Sequence, residues 1–282
     1  MANSYLNIVT FLLTTLFYYM ALKPALPYTL YNNKDQYKEY ISNNYMYLAV
    51  YVLLVILIQF MVNSSIIASN CGGNISENMG VAGVLTFLPW TLIFGVLVLI
   101  LTVYPGFKSA FADVVGYYYV SGQANKLLTE LLVNKDIEKK LVEDPNMTKE
   151  KKEALESAAD AIIKICGNTS ILINQIVPSN FDQYWAILKP LMKDKYQMDG
   201  GESEGIKNDL FELVVTRDNV GEAMWYIYTG LLLTSIVQLK ITSRGCTSNA
   251  KTMEANYQKF LEQEQAAKQS QQATQSTYTI TN

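Results

Sequence analysis

The sequence predicts an all-α integral membrane protein, with four transmembrane helices and a helical soluble domain between the third and the fourth. Three observations carry this. Four apolar runs lack Asp, Glu, Lys and Arg altogether, and each approaches the ~20 residues a helix needs to cross ~30 Å of hydrocarbon. Charge is concentrated in a central stretch, from about Gln123 to Asn219, where Leu and Ile recur at helical spacing. No segment of that stretch alternates convincingly as a strand.

Residues 1–121 form the expected membrane region. The first span covers about 5–22. No basic residue precedes it, and it ends in Tyr18-Tyr19 and Lys23-Pro24 rather than at a small-residue cleavage site. A retained helix therefore fits better than a cleaved signal. Residues 23–44 form a polar loop whose tyrosines at 28, 31, 37 and 40 suit lipid headgroups. The second span, about 45–62, has Gln59 as its one strongly polar residue. Residues 63–84 are rich in Asn, Ser and Gly and contain Cys71-Gly72-Gly73.

The stretch Leu85–Val120 organises the region. Its first part, about 85–104, is uncharged and makes the third span. Pro105-Gly106 stops the helix, because proline lacks the amide donor and glycine accepts the turn. Residues 107–120 are then expected to lie along the membrane surface. The anchors there are Phe107, Lys108, Phe111, Tyr117 and Tyr118, joined by Trp90 and Trp225 from the spans.

Residues 122–221 make the soluble helical domain. Leu127, Leu128, Leu131 and Leu132 share one face. A turn is expected at 144–148, a helix at 154–166 stopped by Gly167, a short apolar helix at 171–177, and a helix burying Phe181, Tyr184, Trp185 and Leu188. A last short helix is expected at 206–215. The fourth span covers 222–241, with Ala223–Leu239 apolar between Glu222 and Lys240. The polar tail, 242–282, carries one helix with a narrow stripe of Tyr257, Phe260 and Leu261. Its end has the strand-like Tyr278 and Ile280. These five residues are the candidate partner contacts.

Basic residues place loop 23–44 and the region 108–221 on one side of the membrane. The same count puts Cys71 and Cys246 together on the other side, where they are a candidate disulfide. Lysines in the tail argue against this orientation. The sequons at Asn63, Asn74, Asn146 and Asn168 fall on both sides.

Several function classes are disfavoured. Histidine is absent, which removes Ser-His-Asp and Cys-His catalysis and His-ligated metal. Three scattered cysteines make no metal motif. With a net charge of −3, nothing suggests nucleic acid. Carboxylate pairs such as Glu202/Glu204 read as solvated surface. No catalytic, cofactor-binding or metal residue is expected, and the chain is read as no enzyme. Gln59, Gln238 and the threonines of the spans are expected to hydrogen-bond between helices.

Phe87, Pro89-Trp90, Phe94-Gly95, Pro105-Gly106-Phe107 and Gly116-Tyr117 resemble a pattern in membrane-anchored minor capsid or inner-membrane proteins of large icosahedral nucleocytoplasmic DNA viruses, the algal viruses and their relatives. The resemblance is confined to residues 85–120. It implies a virion structural protein, in multiple copies, in the host-derived inner membrane beneath the capsid. Its partners would be the lipid bilayer and capsid or other virion proteins, and its role to tether that membrane to the shell. The alternative is a small channel or transport accessory acting as an oligomer.

Four uncharged apolar runs would leave patches on a soluble monomer far above the few hundred Å² normally tolerated. The chain is therefore expected to stay with membranes through an alkaline carbonate wash. Quantitative release without detergent would refute the spanning reading.

Overall fold

A computed structural model describes residues 5–71, 75–132, 168–198, 200–244 and 250–275. The described residues are helical, apart from short connections and one isolated bridge between Leu132 and Met192. The chain divides into two compact units, one of Met1–Phe11, Val55–Leu92 and Leu231–Asn282, the other of Leu12–Leu54 and Ile93–Gly230. The turn expected at 144–148 and the helix at 154–166 lie outside the described residues.

Helix α1 runs Leu6–Phe17 and continues as a wider π turn, Tyr18–Leu22. After a short α2, Tyr28–Tyr31, helix α3 extends from Lys34 to Cys71, 38 residues. This is far longer than the span expected at 45–62. The start is fixed by Asn33, whose Oδ1 accepts from the amides of Asp35 and Gln36 at 3.2 Å each. No glycine or proline interrupts the sequence until Gly72-Gly73, so the polar flanks stay helical.

The third apolar segment is broken internally. Helix α4, Ile75–Pro89, ends on its proline, a π turn follows at Trp90–Gly95, and α5 covers Val96–Val103. Proline removes one helical hydrogen bond and clashes with the preceding turn, and a local widening accommodates both. Pro105–Lys108 then forms a 3₁₀ turn, α6 spans Ser109–Phe111, and a further π turn, Ala112–Gly116, leads into α7, Tyr117–Leu131.

Helices α8 (Thr169–Gln175), α9 (Phe181–Leu188) and α10 (Asp194–Gln197) precede α11, Glu202–Ser243, which runs unbroken for 42 residues. The short helix expected at 206–215 and the fourth span are thus one element. Between them Gly221 is the weakest helix former, at about 1 kcal/mol, and no proline intervenes. Gly200 and Gly201, with φ of 106° and 59°, make the turn that starts it. Helix α12, Ala250–Gln275, carries the polar tail further as helix than its low-complexity composition suggests.

Among the described residues, three helical stretches are long and apolar enough to cross a membrane: Lys34–Cys71, Asn78–Val103 and Glu202–Ser243. The first apolar segment, Leu6–Leu22, is shorter.

The second unit has a core of Leu128, Leu131, Leu172, Ile173, Phe181, Trp185, Leu188, Leu210, Phe211 and Val214. Phe181, Trp185 and Leu188 are buried on the face that α9's spacing gives them. Tyr28 and Tyr31, expected among headgroups, pack on this core instead. The Tyr28 ring lies 5.7 Å from Phe181, and that of Tyr31 4.8 Å from Phe211. Phenol rings bury well against other aromatics when the hydroxyl keeps a partner, and that of Tyr28 donates to Asp182 at 2.8 Å. The first unit has a smaller core of Ile66, Ile67, Ala82, Val237 and Ile241.

Trp185 is the largest ring in the second core. Trp185→Ala is expected to cost about 3–5 kcal/mol, read as a lowered unfolding temperature of the detergent-solubilised chain. Tyr118→Ala, at an exposed site, is expected to leave that temperature unmoved.

Candidate functional site

The strongest constellation lies in the second unit, where four charged side chains meet in its interior. Asp218 and Glu222 stand one turn apart on α11, so both carboxylates project from the same face. Lys23 follows the π turn that closes the first apolar segment, and Lys108 ends the 3₁₀ turn after the third. Lys108 Nζ lies 2.7 Å from Glu222 Oε2 and 3.0 Å from Asp218 Oδ2. Lys23 Nζ bonds Glu222 Oε1, which also accepts from the Tyr19 hydroxyl at 3.1 Å. Glu222 is only 7 % exposed. Burial works against the Lys108 charge, but Glu222 and Asp218 outweigh it and hold the ammonium above its ordinary range. Lys108, expected among headgroups, is therefore an internal partner.

A second set of contacts adjoins this one on α11. Arg217, 1 % exposed, donates to the Ile173 carbonyl, to Asn174 Oδ1 at 3.2 Å, and faces Asp113 Oδ1 at 3.7 Å. Asn174 in turn donates to the Asp113 carbonyl at 3.0 Å. The backbones come very close here. A Cβ on Gly116 would stand 2.5 Å from the Arg217 carbonyl oxygen, and one on Gly221 2.7 Å from the Ala112 Cβ. Glycine is required at both positions because any side chain would push the segments apart.

One turn beyond Glu222, Tyr226 joins an aromatic cluster with Tyr18, Tyr51 and Phe94. Ring centroids are 4.4 Å apart for Tyr18–Tyr51, 5.6 Å for Tyr51–Tyr226 and 5.7 Å for Phe94–Tyr226. Trp225 donates its indole N–H to the Phe107 carbonyl at 2.8 Å and meets the Phe111 ring edge-on at 5.0 Å. Of the expected membrane anchors, Phe107 and Tyr118 are exposed, Phe111 and Trp225 are half-buried against each other, and Tyr117 packs on the second core. Trp90 departs from the expectation. It is fully buried, its ring 5.4 Å from Phe11. The π turn that starts at Trp90 puts this ring among helices, where an interfacial anchor would instead reach outward.

The first unit holds a different polar group. Asn7 Nδ2 donates to Asn63 Oδ1 at 3.0 Å and to Gln238 Oε1 at 3.3 Å. Gln59 Nε2 donates to the Asn7 carbonyl at 3.0 Å and to Thr10 Oγ1 at 3.2 Å, and Asn63 Nδ2 to Thr86 Oγ1 at 2.9 Å. Gln59 and Gln238 thus bond between helices, as expected. Asn7 and Asn63 were not legible as members. The signal for Asn7 is a lone amide in the first apolar run, and for Asn63 an amide one turn after Gln59 at the end of the second.

Tyr257 and Phe260 are exposed on α12 and Leu261 is half-buried, while Tyr278 and Ile280 lie outside the described residues. Cys71 is disulfide-bonded. Cys246, its expected partner, lies outside the described residues, as does Cys166. Among the described residues, no group of three or more His, Cys, Asp and Glu could hold a metal. Chemically, the charge cluster is a clamp. Each cation is spent on a carboxylate, and each carboxylate on a cation.

Glu222→Gln leaves two buried ammonium groups short of a counter-charge and is expected to cost about 3–5 kcal/mol. Adding Lys108→Met is expected to recover part of this loss. Strict additivity of the two changes in a thermal-unfolding double-mutant cycle would show that the pair is not coupled.

Comparison with protein-family models, with curated proteins and with solved structures finds no match for this chain.

Proposed function

We propose that the chain is a structural membrane protein of a virus particle, tethering an inner membrane to the surrounding shell. The observation that carries this reading is α11. Its 42 residues rise about 63 Å, roughly twice the hydrocarbon thickness. Its first turns bury Leu210, Phe211 and Val214 in a helical core, and its later turns include Leu233, Val237 and Ile241 within an apolar stretch. One helix thus carries both a core-packed stretch and an apolar stretch, which suits an anchor. The virion assignment itself rests on the resemblance over residues 85–120.

In this reading Leu6–Leu22 serves as the fourth span. At ~26 Å it falls a little short of ~30 Å, a mismatch that local thinning or snorkelling absorbs at modest cost. The membrane is derived from the host during assembly, and several copies act together. The tail helix α12, with exposed Tyr257 and Phe260, offers the contact to capsid or other virion proteins.

The second reading is an oligomeric channel or transport accessory, favoured by the amides buried within apolar helices. Conductance in reconstituted bilayers supports it, and silence there leaves the structural role.

The tether is tested by deleting residues 250–282. Membrane insertion is expected to persist, while the amount of the chain in purified particles falls. Particles with a normal content of the truncated chain would show that the tail does not carry the contact. Absence of the full chain from purified particles would overturn the virion assignment.

A further inference from the structure

We propose that the amide cluster of the first unit binds one monovalent alkali cation. Its members come from four helices: Asn7 and Thr10 on α1, Gln59 and Asn63 on α3, Thr86 on α4 and Gln238 on α11.

The argument is a count of donors and acceptors. Both hydrogens of Asn7 Nδ2 are spent, on Asn63 and Gln238. Both hydrogens of Gln59 Nε2 are spent, on the Asn7 carbonyl and Thr10. The Thr10 hydroxyl donates back to the Leu6 carbonyl at 2.8 Å. Asn7 Oδ1 and Gln59 Oε1 are then buried acceptors with no hydrogen-bond partner, on side chains that are each 1 % exposed. A carbonyl oxygen left so in an apolar interior has lost its water without a replacement donor, which is unfavourable. Turning either amide over does not help. A flip of Asn7 alone would aim its oxygen at the Asn63 and Gln238 oxygens, and a flip of Gln59 alone would aim its oxygen at the Asn7 carbonyl. As the amides stand, the cluster is short of donors for two buried oxygens.

The composition selects the ligand. All the oxygens are neutral, from amides, two threonine hydroxyls and a backbone carbonyl, and no carboxylate is among them. Divalent cations are normally held by carboxylates. Rings of neutral carbonyl oxygens instead replace the hydration shell of a monovalent ion. A cavity adjoins the cluster within the same unit, at Asn7 and Gln238. This cavity, of about 330 Å³, is also lined by the apolar Ile8 and Leu239, by Tyr5 and by the hydroxyl residues Thr234, Ser235 and Thr242. Thr234 and Ser235 donate to the Leu231 carbonyl, and Thr242 to the Gln238 carbonyl. Their hydroxyl hydrogens point back along α11, so their oxygens offer lone pairs to an incoming cation. The proposal does not depend on the tether reading.

The test uses the full chain in detergent, dialysed into choline chloride. Sodium or potassium chloride then replaces choline at fixed ionic strength while the unfolding temperature is followed. A ligand that binds only the folded chain raises this temperature saturably, and a rise of several degrees is expected for one of the two ions. Gln59→Leu is expected to abolish the rise. Gln238→Glu places a carboxylate at the mouth and is expected to lower the half-saturating concentration at least about tenfold. Identical unfolding in choline, sodium and potassium overturns the proposal, leaving a bound water as the cluster's content. An ion effect that neither substitution changes also overturns it, because the ion then binds elsewhere.

Discussion

Glu222 is the constraint on which much of the second unit depends. A buried carboxylate is tolerable only with counter-charge and hydrogen bonds in place, since taking it out of water costs several kcal/mol. Here Lys23, Lys108 and the Tyr19 hydroxyl all reach it. Those partners follow two different apolar runs, and Glu222 itself precedes a third. The charge network therefore fixes where each run ends relative to the others. Apolar packing alone does not, because one leucine serves nearly as well as its neighbour one turn along. Whether buried ion pairs add net stability varies from case to case, but a mispaired one is strongly disfavoured. That asymmetry makes the cluster a device for register.

Register also explains the unusual backbone nearby. The clamp needs Lys108 beside Asp218 and Glu222, which brings the chain after Pro105 hard against α11. Ala112 and Gly116 face Gly221 and Arg217 at distances that exclude a Cβ on either glycine. The π turn Ala112–Gly116 lies in this contact. A π turn widens the helix by one residue and shifts the following side chains around its axis, and such turns are common where function constrains a helix. The cost of the widened turn is offset locally by Arg217, whose guanidinium reaches the Ile173 carbonyl, Asn174 and Asp113 together. Two of these partners belong to α8, so the same arginine also positions that helix.

The helical class, the long apolar helices and the core face of α9 were legible in the sequence, because each rests on a period or on length. Element boundaries were less so. Helices α3 and α11 run well past the apolar runs within them, since nothing in their polar flanks breaks a helix. Hydropathy marks where lipid would begin and is silent on where the backbone stops. The charge cluster was half legible. Asp218 and Glu222 at i, i+4 announce a shared face, and Lys23 and Lys108 each follow an apolar run. Their meeting depends on packing between residues 110 to 199 apart in sequence, for which no local signal exists. Lys108 and Trp90 show the same limit from the other direction. A residue type common at membrane interfaces is equally at home inside when a partner is waiting.

The two polar clusters differ in kind, and the difference bears on what each does. The charged one closes on itself, because Glu222 and Asp218 absorb both lysines and little field remains for a ligand. The neutral one does not close. Its amides bond between helices, as polar side chains in apolar segments commonly do, yet two of its oxygens remain without donors. Had interhelical adhesion been the sole requirement, a serine or threonine at Asn7 or Gln59 would supply a bond and leave no enclosed carbonyl. Two such carbonyls in one cluster, beside a cavity edged with hydroxyl oxygens, are better explained by something held than by something glued.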